Sequence, residues 1–181
     1  MGVALLFVIV VLAFGIGIYN KLIQRRVHVE EAWSGIDVQL KRRHDLIPNL
    51  VATVKGYMQH ERGLLEKVTQ LRSQASGVNN VKQRSELENS LTQTLKSIFA
   101  VAEAYPDLKA NQGFLDLHKS LIHVEDDIQL ARRYYNGTVR NYNVLVQTVP
   151  SNMISNMFHF QAAEFFQVDT AGERSVPKVN I

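Results

Sequence analysis

A chain of 181 residues is about one domain's worth of polypeptide, and its 20 basic and 17 acidic side chains leave a formal charge of +3. That balance is too small and too evenly spread for the clustered basic face that nucleic-acid binding requires. With no cysteine, disulfides, thiolate metal sites and a lipid-modified N-terminal cysteine are excluded, and the four prolines and ten glycines are few enough to suit long helices.

The first charged side chain is Lys21, and the block Val3–Tyr19 (VALLFVIVVLAFGIGIY) ahead of it has no strongly polar group. At about 1.5 Å per residue, roughly 20 residues cover the ~30 Å hydrocarbon core of a bilayer, so residues 1–20 are expected to form a transmembrane anchor. A cleaved signal peptide would carry basic residues before its apolar block and a small-x-small exit after it; here Lys21, Arg25 and Arg26 follow the block and nothing basic precedes it. A core helix of a soluble protein is rarely apolar all round at this length. Tyr19 stands where an interfacial aromatic belongs. With Lys21, Arg25 and Arg26 it forms a membrane flank whose positive charge predicts an N-terminus outside and a cytoplasmic body. Ala13 and Gly17 have the small-xxx-small spacing that lets two anchors approach closely, although glycine is common in membrane helices without such a contact.

Residues 21–149 read as an elongated antiparallel bundle of three to four helices. From Trp33 the apolar positions recur three and four apart through Ile36, Leu40, Ile47, Leu50, Val54, Tyr57, Leu64, Val68 and Leu71, the seam of a helix packed on others. Pro48 interrupts that seam. It removes a backbone donor, so the helix either kinks there or ends and restarts, with Asp45 as a cap. Ser76–Asn80 is a break. A helix is expected from Val81 to Ala104, with Leu87, Leu91, Leu95, Ile98 and Ala102 inward, ended by Tyr105-Pro106-Asp107. A last long helix from Asn111 to Thr148 carries a regular stripe, Phe114, Leu117, Leu121, Val124, Ile128, Ala131, Tyr135, Thr138, Tyr142 and Leu145, and is closed by Pro150. Short turns between such helices force antiparallel neighbours.

Residues 150–166 form a separate Met- and Phe-rich segment, too short to span a bilayer. Its Met153, Met157, Phe158, Phe160, Phe165 and Phe166 are read as a contact surface. The chain's own bundle, a neighbouring subunit and the membrane interface are all possible acceptors, and self-association is the expectation adopted. The polar stretch 167–181, containing Pro177, reads as a disordered tail.

No reaction chemistry stands out. The six histidines, at 28, 44, 60, 118, 123 and 159, lack metal-ligand spacing: His118 and His123 are five apart, and His60-Glu61 has no second histidine four positions on. No Glu-x-x-His pairs, nucleophile motif or glycine-rich phosphate loop occurs. No catalytic residue, metal site or cofactor is therefore expected. Lys41-Arg42-Arg43, flanked by Asp37 and Asp45, reads as a solvated face with helical ion pairs, and Trp33 as a packing residue on the seam.

The run Ala32-Trp33-Ser34-Gly35-Ile36-Asp37-Val38-Gln39-Leu40-Lys41-Arg42-Arg43-His44-Asp45-Leu46-Ile47-Pro48-Asn49-Leu50 resembles the signature of the LemA family. So do Tyr19-Asn20, Tyr105-Pro106-Asp107-Leu108-Lys109-Ala110-Asn111, and Ala131-Arg132-Arg133-Tyr134-Tyr135-Asn136 followed by Tyr142-Asn143. The likeness covers residues 1–166, and Val149-Pro150 departs from the family's usual Phe-Pro. It implies an N-terminal anchor in the bacterial inner membrane, an N-out orientation and a helical bundle. It brings no reaction, and relatives at magnetosome membranes imply membrane organisation or assembly. The expected protein is a self-associating, membrane-anchored scaffold whose partners are the lipid bilayer, a second copy of itself or another membrane protein. The alternative is an accessory or regulatory subunit of a membrane enzyme complex such as a protease.

Overall fold

The computed structural model describes residues 1–167; apart from Gln167, the tail expected at 167–181 lies outside the described residues. The chain folds as α1 (Gly2–Val54), α2 (Arg62–Ser76), α3 (Val81–Ala102), the single turn α4 (Pro106–Lys109), α5 (Gln112–Gln147) and α6 (Ser151–Met157), with no strand among the described residues. Asparagines start two of these helices. Asn80 Oδ1 accepts the Gln83 N–H at 2.9 Å and Asn111 Oδ1 accepts the Phe114 N–H at 3.0 Å, each satisfying a donor that the first turn leaves open. A cis peptide joins Val149 to Pro150 between α5 and α6.

α1 passes without a break from the apolar block into the helical body, and it also passes through Pro48. The chain turns at 55–61 instead, a break that the apolar periodicity does not announce. The continuity has a tertiary support. Pro48 cannot donate to the His44 carbonyl four residues earlier, and that carbonyl instead accepts Arg72 Nε–H from α2 at 2.7 Å. A side chain from the next helix thus fills the gap in the ladder.

The described chain divides into two compact units. One comprises Lys41–Glu125 with Phe166 and Gln167. Its core gathers Ile47, Leu50, Val54 and Met58 with Leu65, Val68, Leu91, Leu95, Ile98, Phe114 and Leu121, the seams expected from the sequence with Met58 replacing the exposed Tyr57. α2 and α3, joined by the turn 77–80, pack on each other as antiparallel neighbours. Tyr105 Oη–H donates to Glu61 at 2.8 Å and Asn111 Nδ2–H to Tyr57 Oη at 3.4 Å, tying the turn after α3 to the turn after α1.

The other unit comprises Met1–Leu40 and Asp126–Phe165. Leu22, Val29, Ala32, Ile36 and Leu40 of α1 are buried in it, as are Ile128, Tyr135, Val139, Tyr142 and Val146 of α5. Trp33 is half-buried with its ring 5.5 Å from that of Tyr135, a packing role as expected. After Ile128 the buried stripe of α5 keeps Tyr135 and Tyr142 as expected, while Arg132, Val139 and Val146 are buried in place of the half-buried Ala131, Thr138 and Leu145. No residue in the most apolar stretch of α1 is buried by the rest of the chain, and among the described residues α1 is the one helix long and apolar enough to cross a membrane.

Candidate functional site

The family-like residues of α1 and α5 converge on the chain that follows α6. α6 ends where His159 takes a left-handed backbone (φ 57°). The Phe160 N–H bonds the Ser155 carbonyl at 2.9 Å and the His159 N–H that of Asn156 at 3.3 Å, the paired closure that satisfies the last helical carbonyls. The chain then runs on as a strap held by α5. Asn143 donates from Nδ2 to the Ala163 carbonyl at 2.9 Å and accepts the Ala163 N–H on Oδ1 at 2.8 Å. Tyr135 Oη–H donates to the Glu164 carbonyl at 2.9 Å. Burial, reinforced by the negative charge of Glu164, pushes the Tyr135 phenol up to about 12, so it stays a donor throughout the physiological range. Burial likewise raises Tyr142. At the apolar end Tyr19 packs on Phe158 and Phe160, with ring centres 4.8 and 5.7 Å away.

The residues expected at the site separate into groups. Tyr19 is half-buried under this strap, while Lys21, Arg25 and Arg26 are exposed, Arg26 pairing with Glu30 at 3.2 Å. Ala13 and Gly17 line a groove of about 570 Å³ whose other wall is Leu145, Thr148, Val149, Pro150 and Ser151. Phe166 is fully buried within the chain and so is not an outward contact, Phe160 is half-buried, and Met153, Met157, Phe158 and Phe165 are exposed.

The expectation for Lys41-Arg42-Arg43 needs correction. Lys41 and Arg42 are exposed, but Arg43 is 0% exposed and meets Glu88, whose side chain is also 0% exposed. Arg43 Nη1 donates to Thr92 Oγ1 at 2.7 Å and to Glu125 Oε2 at 2.8 Å, and Nη2 donates to the Glu88 carbonyl at 3.2 Å and to the Glu88 carboxylate. His44 Nε2 lies 3.0 Å from the other Glu88 oxygen, a short contact set off the line of a well-aligned hydrogen bond. Burial alone would raise the Glu88 carboxyl; the adjoining His44 ring and Arg43 guanidinium outweigh it and hold the group below its ordinary 4.5. A signal was present in the sequence. Arg43 falls on the three-four spacing between Leu40 and Ile47, and Glu88 on the same spacing ahead of Leu91 and Leu95, so both are charges at seam positions. The cluster crosslinks α1, α3 and α5 in the manner of a buried structural ion network.

These features define a membrane-associated helical protein. The LemA family model matches residues 32–181, and the chain belongs to the LemA family. It is 29% identical over 161 residues to Protein LemA of Metamycoplasma hominis, covering 85% of this chain and 74% of that one. It is 24% identical over 186 residues to magnetosome protein MamQ 2 of Paramagnetospirillum magneticum, covering 87% and 68% of the two chains. Against magnetosome protein MamQ of Magnetospirillum gryphiswaldense the identity is 18% over 184 residues, with 87% and 68% covered.

Proposed function

We propose that the protein is an anchored scaffold of the bacterial inner membrane, with its helical body on the cytoplasmic side, that self-associates or gathers partners at the bilayer and carries no reaction of its own. The observation that carries this reading is the course of α1, which runs unbroken from an apolar stretch in which no residue is buried into the packed body. The polar groups of the interior add support. Arg43, Glu88, Thr92 and Glu125 are spent on one another across helices, the use that buried charges have in a framework. The basic flank of Lys21, Arg25 and Arg26 favours the cytoplasmic placement, and relatives named as magnetosome proteins fit a role in assembly at an organised structure.

Mass measurement of the full chain purified in mild detergent tests the proposal. A homomeric particle of several copies is expected. Recovery in fixed ratio with a foreign membrane enzyme, such as a protease, would replace the scaffold by an accessory subunit.

A further inference from the structure

α6 is inside out for a helix in water. It buries Ser151 and Ser155 and turns Met153 and Met157 outward, 67% and 68% exposed. In water a helix of this make-up gains by turning its methionines inward and its serines outward. The observed rotation is held by local bonds: Ser151 Oγ–H donates to the Thr148 carbonyl at 2.9 Å and Ser155 Oγ–H to the Phe160 carbonyl at 3.3 Å. Both hydroxyls are therefore satisfied without water, as an apolar medium demands.

The position of α6 matches its rotation. A Cβ placed on Gly15 would lie 3.8 Å from Ile154 Cδ1, and the Tyr19 ring packs at a tilt against that of Phe158, so α6 stands beside the last turns of the apolar block of α1. Phe158 is 53% and Val149 78% exposed, extending the methionine surface towards the end of α5. Residues 141–163 contain no Lys, Arg, Asp or Glu, in a chain that is 20% charged. Ala13, Phe14, Gly17 and Ile18 of the apolar block line one groove with Val149 and Pro150, so the approach to α6 borders the same apolar stretch.

We infer that α6 and the end of α5 form a second membrane-seated element, docked in the interfacial layer of the bilayer beside the span and contacting phospholipid through Val149, Met153, Met157 and Phe158. The surface lies beside the apolar block of α1, and an apolar face of this kind, next to aromatic and basic flanking residues, matches an interfacial helix. The inference rests on the membrane reading of α1, and its test separates the two.

Trp33 is the sole tryptophan, so Trp33→Phe gives a silent background for single reporters. Phe7→Trp reports the span, Met157→Trp reports α6, and Val38→Trp, an exposed position of α1 outside the apolar block, serves as the aqueous control. Each full-length variant, with its helicity checked by circular dichroism, is reconstituted in phosphatidylcholine–phosphatidylglycerol vesicles with plain or brominated acyl chains. Phe7→Trp and Met157→Trp are expected to lose most of their emission in brominated vesicles, and Val38→Trp to keep it. A quenched Phe7→Trp with an unquenched Met157→Trp overturns the inference and leaves the anchor standing; a blue-shifted but unquenched Met157→Trp would assign the surface to a second copy. Equal quenching of Val38→Trp and Met157→Trp also overturns it. If Phe7→Trp is unquenched, the anchor reading fails and takes the inference with it.

Discussion

At Arg43 a single guanidinium holds together three helices, and its removal leaves two carboxylates facing each other. Arg43→Met is expected to destabilise the fold by about 3–5 kcal/mol, the cost of stranding a buried charge, read as a lower midpoint in urea melts followed by circular dichroism. Glu88 adds a pH dependence whose sign follows from its depressed pKa. The ionised form is favoured in the fold, so this stabilisation is complete above the ordinary 4.5 and is lost as pH falls below it towards the folded value. The Arg43 guanidinium and the His44 ring are the groups facing the carboxylate. Urea melts of wild type and Glu88→Gln should differ most near neutrality and converge on acidification below pH 4.5; a gap that stays constant over that range would mean that Glu88 does not carry the linkage.

The elements were largely legible because apolar spacing is a local signal. Ile36, Leu40, Ile47 and Leu50 on α1 and Leu91, Leu95 and Ile98 on α3 are buried as their spacing predicts, and Asn80 begins a helix as a capping residue should. What depended on a distant partner was not legible. The sequence left Pro48 open between a kink and a new helix, because the deciding group, Arg72, is a helix away. Arg43 read as solvated because it ends a basic run flanked by Asp37 and Asp45; its seam spacing pointed inward, but its partners Glu88 and Glu125 come from other elements. The strap was legible as an apolar contact segment, but its anchors, Asn143 and Tyr135, act on backbone groups with no sequence pattern. The Pro48–Arg72 relation yields a double-mutant cycle. Arg72→Met should cost about 1–3 kcal/mol by orphaning the His44 carbonyl, and clearly less in a Pro48→Ala background, where the restored N–H takes up that carbonyl. Equal costs in the two backgrounds would show that Arg72 acts elsewhere.

For the whole molecule, the basic flank after the apolar block sets an orientation that a reporter can read. A reporter fused after Ile181 should give cytoplasmic-type activity, and exchange of Lys21, Arg25 and Arg26 for neutral residues should weaken that preference. A translocated-type signal from the wild-type fusion would reverse the topology proposed above. The make-up of the unit that contains the apolar block also fixes an order of events during synthesis. Its two stretches, Met1–Leu40 and Asp126–Phe165, are made far apart in time, with most of the other unit between them. At roughly 10 residues per second, the first stretch waits on the order of 10 s before the strap exists to cover Tyr19. Throughout that interval the bilayer can shelter the apolar block, while the stretch from Leu22 to Leu40 has no partner from its own unit. Membrane delivery of this protein is thus a matter of timing as well as address: the nascent chain must be held at the bilayer until its last helix arrives to complete the half of the fold that was started first.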